Sequence, residues 1–257
     1  MLLLRPLDAL IAPAPDAARV AFLKAQPFAH RGLHGGGVIE NSRAAFTAAI
    51  AKGHGIELDV QAALGGEPFV FHDAEFDRLT DAHGAFAARS AAQIGAIHLN
   101  GSSETIPTLA EILALVAGRA PILIEVKSHS RHVGHLCLGV RRALEGYRGD
   151  FAVMSFNPEI GRWFHEHAPR IVRGLVVTEA GPETRLQHWK ARAIRHLSLW
   201  RARPDFLAYD IRDLPSRFAS AQRARGLPLL TWTVRTAEQE RTVFACADEA
   251  IYEQVGR

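Results

Sequence analysis

Seven titratable side chains stand inside or just behind short apolar runs of this chain: His30-Arg31, Glu57 and Asp59 in Glu57-Leu58-Asp59, His72, and Glu125 and Lys127 in Glu125-Val126-Lys127. In an extended segment, residues i and i+2 project to the same side, so Glu57 and Asp59 face one way, and Glu125 and Lys127 do likewise. If the segments lie side by side, three carboxylates converge. Their repulsion calls for a counter-ion, and a hard divalent cation with oxygen ligands, Mg²⁺ or Ca²⁺, supplies one. Zinc is disfavoured, because no paired His or Cys spacing accompanies these residues. His30 and His72 suit a general acid and base near neutral pH. Arg31 and Lys127 suit donors to an anionic oxygen. A substrate meeting these demands is an anion that binds a divalent cation, loses one proton and gains another, and a phosphodiester is of that kind. A structural ion pair between Glu125 and Lys127 is the alternative reading of that couple.

The elements that would carry these residues alternate. Apolar runs at Pro27–His30, Gly55–Val60, Pro121–Val126, Phe151–Ser155, Arg173–Val177, Asp205–Asp210, Pro228–Val234 and Glu249–Tyr252 read as strands. Between them, Ser42–Lys52, Thr108–Ala117, His132–Glu145, Pro158–His167, Glu183–Leu199, Leu214–Arg225 and Ala237–Cys246 have apolar residues near helical spacing. The alternation predicts a single α/β domain over 1–257, a (β/α)₈ TIM barrel spanning 27–257. Residues 1–26 read as an N-terminal extension with a helical stretch around Asp16–Ala25. A second apolar run, Pro68–Phe71, and a polar, Ala- and Gly-containing stretch at 74–106 read as a small insertion after the second strand. Barrel enzymes keep their chemistry at the C-terminal ends of the strands, where the seven residues are expected.

Composition narrows the class. The 257 residues are 48% hydrophobic and 22% charged, enough apolar material for a large core and too much for disorder. Thirty basic against 27 acidic residues give a formal charge of +3, with no run of five like charges, so no nucleic-acid-binding tail is expected. Cys137 and Cys246 each lie in an Ala/Leu/Val-rich stretch and read as small buried apolar residues, without a disulfide. The start, MLLLRPLDALIAP, is interrupted by Arg5, Pro6 and Asp8 and does not read as a signal peptide. No window approaches the roughly 18 apolar residues of a membrane span. A cytoplasmic protein acting on a small-molecule substrate, without stable membrane insertion, is the expectation.

Longer strings around the seven residues resemble the glycerophosphodiester phosphodiesterase family. They are His30-Arg31-Gly32; Glu40-Asn41 with Ala45-Phe46; Gly53 and Ile56-Glu57-Leu58-Asp59-Val60; Phe71-His72-Asp73; Ile124-Glu125-Val126-Lys127; Ser155-Phe156; and Thr231-Trp232-Thr233-Val234. Order and spacing match over residues 27 to 235. The resemblance implies metal-dependent hydrolysis of glycerophosphodiesters to glycerol 3-phosphate and an alcohol. It implies a cation held at Glu57, Asp59 and Glu125, His30 and His72 as the acid–base pair, Arg31 and Lys127 on phosphate, and Glu40 and Asn41 as orienting residues. It also implies attack by the neighbouring glycerol hydroxyl, giving a cyclic phosphate that water opens.

Three places depart from the family pattern. Arg235 replaces the usual asparagine, the usual ending is represented only by Ala247-Asp248-Glu249-Ala250-Ile251-Tyr252-Glu253, and the insertion after His72 is short and Ala-rich. Trp232 reads either as core packing or as an apolar wall for the glycerol portion. Asp210 reads as a further site residue or as a cap. Cleavage of lysophospholipids or other phosphodiesters is a second expectation, and a non-catalytic barrel that binds a phosphate ligand is a third, from another class. His34-Gly35-Gly36-Gly37 does not make a lipase-type serine hydrolase, because the chain has no Gly-x-Ser-x-Gly elbow.

Overall fold

The computed structural model of the chain describes residues 4–179 and 184–253. Its regular elements are α1 (Leu4–Ile11), β1 (Phe28–Ala29), α2 (Arg43–Ala51), β2 (Gly55–Ala62), β3 (Pro68–Val70), α3 (Ala91–Gly95), α4 (Leu109–Val116), β4 (Ile122–Val126), α5 (Gly134–Ala143), β5 (Phe151–Ser155), α6 (Pro158–His167), β6 (Val172–Val177), α7 (Arg185–Ala202), β7 (Phe206–Asp210), α8 (Arg217–Ala224), β8 (Leu229–Val234), α9 (Ala237–Cys246) and β9 (Glu249–Tyr252). The chain divides into two compact units: Phe28–Phe151 with Glu253, and residues 4–27 with Ala152–Tyr252.

In the first unit, β1, β2 and β4 run parallel, with Ala29 beside Ile56 and Asp59 beside Glu125. That register sets the chemistry, because it puts Asp59 and Glu125 at the same height. Helices start where local capping chemistry dictates: the Ser42 side chain accepts from the Ala45 N–H at α2, and Thr108 and Glu111 form a reciprocal capping box at α4. Beyond Val60, the expected end of the second strand, β2 continues to Ala62 because β3 pairs with it antiparallel, Val60 opposite Val70. Glu57 and Asp59 therefore lie inside a strand, at the end of its parallel part.

The predicted polar insertion has a core of its own. Phe76, Phe86, Ile94, Leu99 and Ile106 bury against Phe69 and Phe71, with the Phe71 and Phe86 rings stacked at 5.4 Å. These apolar residues follow neither a 2.0 nor a 3.6 period, which is why a periodicity reading misses them. Cys137, buried in α5, belongs to this unit. Burial pushes its thiol up to about 12.

In the second unit, β5 to β9 run parallel in sequence order, with Leu175 beside Leu207 and Leu207 beside Leu229. Leu199 of α7 and Phe218 of α8 pack on these strands. The N-terminal expectation needs correction: the regular helix is α1, and residues 21–24 make only one 3₁₀ turn. Pro13 and Pro15 end α1, and a polar clamp fixes it in place. Asp8 is fully buried and accepts from His196 Nδ1 (2.8 Å) and Trp200 Nε1 (2.7 Å) of α7, and from Gln222 Nε2 (2.8 Å) of α8.

Among the described residues, eight parallel strands alternate with helices, with one antiparallel insertion after the second, which is the order of a (β/α)₈ fold.

Two outcomes follow from this packing. Asp8→Ala strands three buried donors and is expected to lower the unfolding free energy by roughly 2–4 kcal/mol, read from the urea midpoint at unchanged m-value. An unchanged midpoint would remove Asp8 as the clamp. Because the thiolate is the reactive form, Cys137 in the native protein should resist iodoacetamide at pH 8 and react once urea exposes it. Rapid native labelling of Cys137 would contradict its burial.

Candidate active site

Glu57 and Asp59 on β2 and Glu125 on β4 are 0%, 0% and 7% exposed, and one carboxylate oxygen from each lies within 4.8 Å of the others. Oxygens that share a hard cation at about 2.0–2.6 Å lie within roughly 5 Å of one another, so the spacing needs little adjustment. Among the described residues, Glu57 Oε1 is buried without a hydrogen-bond partner, and Asp59 Oδ1 and Glu125 Oε1 meet only the Lys127 ammonium, at 2.9 and 2.5 Å. The donor set, all oxygen and short of positive partners, fits a divalent cation.

The electrostatics agree. Burial, with Asp59 and Glu125 close by, holds the Glu57 carboxyl well above the usual range. Burial also raises Glu125, Asp59 adding to it, and Lys127 only partly compensates. Asp59 goes the other way: burial opposes its charge, but Lys127 and Arg31 outweigh that and hold it well below the usual range.

Arg31 reaches this group through an unusual backbone. Both Arg31 and Asn41 are left-handed, each at φ 56°, and the Asn41 N–H donates to the Arg31 carbonyl at 2.9 Å. Such a conformation costs a non-glycine residue about 1–2 kcal/mol. Hydrogen bonds hold it: the Arg31 N–H donates to Glu57 Oε2 (3.0 Å), and Asn41 Nδ2 donates to Asp59 Oδ2 (2.9 Å). The Arg31 guanidinium lies 3.2 Å from Asp59 Oδ2 and donates to Glu40 Oε1 at 2.7 Å. Gly32 follows at φ +79°, and a Cβ there would come within 2.8 Å of Ala45 Cβ, so the turn into α2 admits only glycine.

The two histidines are each oriented by a carboxylate. His30, just past β1, is buried, with Nδ1 2.6 Å from Glu253 Oε1 and Nε2 3.9 Å from Glu57 Oε2. Burial lowers its pKa, although the Glu253 hydrogen bond pulls the other way. His72 is less enclosed, and its Nδ1 is 2.6 Å from Asp73 Oδ1. Gln61, in alternation with Glu57 and Asp59 on β2, donates to the Phe71 and Asp73 carbonyls (3.0 and 2.7 Å) and so anchors the segment bearing His72. Arg78 bridges Glu40 and Asp73, at 2.7 Å from Glu40 Oε1 and 2.5 Å from Asp73 Oδ2.

Nine residues named from the sequence, His30, Arg31, Glu40, Asn41, Glu57, Asp59, His72, Glu125 and Lys127, thus belong to one unit and are connected by these contacts. Trp232 belongs to the other unit, half-buried on β8; its ring meets Phe156 edge-on at 5.5 Å, and its indole N–H donates to the Ala208 carbonyl at 3.0 Å. Asp210 caps a 3₁₀ turn and pairs with Arg212 at 2.6 Å. Glu253, Asp73 and Arg78 were missed as site residues. Glu253 directly follows β9 and could have been found by the strand-end rule that found the others, and Asp73 adjoins His72. Arg78 carries no sequence signal.

Comparison with known proteins is consistent with this geometry. The chain is 24% identical to glycerophosphodiester phosphodiesterase 1 of Bos taurus, over 89% of this chain and 78% of the relative. It is 29% identical to a glycerophosphodiester phosphodiesterase of Caldanaerobacter subterraneus, over 89% of this chain and 94% of the relative. Among solved structures, a phosphodiesterase of Oleispira antarctica in complex with the product sn-glycerol-3-phosphate superposes with a TM-score of 0.75 at 21% identity, covering 90% of this chain and 93% of that one. One from Silicibacter pomeroyi, described as a glycerophosphoryl diester phosphodiesterase, gives 0.73 at 20% identity, covering 91% and 93%. These likenesses establish the (β/α)₈ fold. The sequence profile of the glycerophosphoryl diester phosphodiesterase family matches residues 30–253, from the first site histidine to its carboxylate partner, and the chain is therefore a member of that family of phosphodiester hydrolases.

Proposed function

We propose that this enzyme hydrolyses glycerophosphodiesters to glycerol 3-phosphate and an alcohol, with His30 and His72 as the base and acid and one divalent cation, Mg²⁺ or Ca²⁺, at Glu57, Asp59 and Glu125. The observation that carries the reading is the convergence of three buried carboxylates beside a histidine whose outer nitrogen is held by Glu253. When bound, the cation supplies fixed positive charge against the non-bridging oxygens of the phosphate. Arg31 and Lys127 add donors to the same oxygens.

With its Nδ1–H donating to Glu253, neutral His30 keeps the Nε2 lone pair toward the site and accepts the proton of the attacking glycerol hydroxyl. As phosphorus gains that oxygen it loses the alcohol oxygen, which takes a proton from His72. Asp73 orients His72 for that transfer, and Arg78 steadies Asp73. Water then opens the cyclic phosphate with the two histidines in exchanged roles. Glu40 and Asn41 hold Arg31 and Asp59 in place.

The purified protein is expected to release glycerol 3-phosphate from glycerophosphocholine or glycerophosphoethanolamine with Mg²⁺ or Ca²⁺, and to stop when the cation is chelated. Turnover of lysophosphatidylcholine alone would move the assignment to lipid diesters, and binding without turnover would leave a ligand-binding barrel. His30→Ala and His72→Ala should each reduce kcat by about 10²–10⁴ while calorimetry still detects cation binding. Glu125→Gln should instead weaken cation affinity by roughly 10–100-fold or more, and Glu253→Gln should lower kcat by a similar factor with KM little changed. Wild-type kcat in Glu253→Gln would remove the orienting role of that carboxylate.

A further inference from the structure

We infer that the second unit carries a binding site for a phosphate monoester, in a cavity between α7 and the start of α8. The cavity measures about 320 Å³, near the lower end of ligand pockets, which run from roughly 300 to 1,000 Å³. Its walls come from Glu179 just past β6, from Trp189, Arg192 and Arg195 of α7, and from Asp213 and Arg217 on the segment that leads from β7 into α8. It therefore lies at the C-terminal ends of β6 and β7, the end at which (β/α)₈ folds bind their ligands. None of these residues belongs to the unit that holds Glu57, Asp59 and Glu125.

The carboxylates on the wall are already engaged. Glu179 Oε2 pairs with Arg195 at 3.1 Å, and Glu179 Oε1 accepts from the hydroxyls of Ser216 (2.5 Å) and Tyr209. Asp213 Oδ2 accepts from the Thr178 hydroxyl at 3.0 Å and the Glu179 N–H at 2.5 Å. Arg192 and Arg217 are left over, since neither side chain forms a hydrogen bond or ion pair with a described residue. Arg192 is half-buried, so its guanidinium gives up part of its hydration without gaining a counter-charge. Both arginines also border a narrower cavity of about 30 Å³, which sets them next to each other on one wall. Asp8 faces that narrow cavity too, but its oxygens are taken by His196, Trp200 and Gln222. The N-terminus of α8 is satisfied by the Ser216 hydroxyl, which accepts from the Phe218 and Ala219 N–H groups, and recognition therefore falls to the guanidinium groups. Two planar forks side by side call for an anion that offers several acceptor oxygens at once. A phosphate monoester presents three, with close to two negative charges at neutral pH, whereas a diester or a carboxylate presents fewer oxygens and less charge. Trp189, 67% exposed, sets a flat apolar ring beside them for the organic part of the ester. The inference does not depend on the catalytic assignment.

Calorimetry on the full chain, with any cation chelated, should detect binding of inorganic phosphate, glycerol 3-phosphate and adenosine monophosphate, and none of dimethyl phosphate or acetate at the same concentrations. Arg192→Gln with Arg217→Gln should weaken that binding at least about tenfold, while circular dichroism and Tm stay at wild-type values because neither side chain has a partner to lose. Arg31→Gln, in the other unit, should leave the affinity intact. Binding should also change the tryptophan emission, and Trp189→Phe should abolish that change. A preference for glycerol 3-phosphate would name the proposed reaction product as the ligand, and a preference for adenosine monophosphate would name a nucleotide. Affinity lost in Arg31→Gln but kept in the Arg192/Arg217 variant would assign the phosphate to the carboxylate unit and overturn the proposal. Absence of monoester binding, or equal binding of acetate, would overturn it as well.

Discussion

Three buried carboxylates, with one oxygen of each within 4.8 Å of the others, are the constraint to which the rest of their unit is fitted. Like charges so placed repel strongly where little water screens them. Burial first, and then the neighbouring carboxylates, drive Glu57 and Glu125 toward protonation, while Lys127 and Arg31 keep Asp59 ionised. Positive charge brought to the group relieves the repulsion that remains. Lys127 and Arg31 supply part of that charge, and the oxygen-only donor set leaves room for a hard cation to supply more.

Much of the surrounding backbone serves that end. The parallel register of β2 and β4 brings Asp59 level with Glu125, and the continued alternation of β2 brings Gln61 onto the loop that bears His72. Arg31 adopts a left-handed conformation so that its N–H reaches one carboxylate and its guanidinium another. Strain of this sort persists because neighbouring bonds over-determine it. Asn41 makes the point from the opposite side, being left-handed, bonded to the Arg31 carbonyl and bonded to Asp59.

Outside this group, polar contacts act as fasteners. Glu253 turns the His30 ring, and Asp73, steadied by Arg78, turns that of His72. Asp8 does comparable work in the other unit, where one buried carboxylate ties α1 to two helices.

What the sequence determined by itself is whatever depends on a short repeat of backbone geometry. Glu57 and Asp59 share a side because strand residues alternate, and the strands and helices were legible from periods of 2.0 and 3.6 with capping residues at their ends. The motif strings around His30, Glu57, His72 and Glu125 were equally local. Tertiary structure decided the contacts for which no local rule exists. Glu253 lies 223 residues from His30, and nothing in the stretch from Ala247 to Glu253 marks it as that histidine's partner until both are folded. The insertion core built on Phe76 and Phe86 has no period to detect, and α1 forms earlier in the chain than expected because Asp8 finds donors 188 to 214 residues away. Contacts at such separation are selected by packing of the whole chain, and a sequence read a few residues at a time does not contain them.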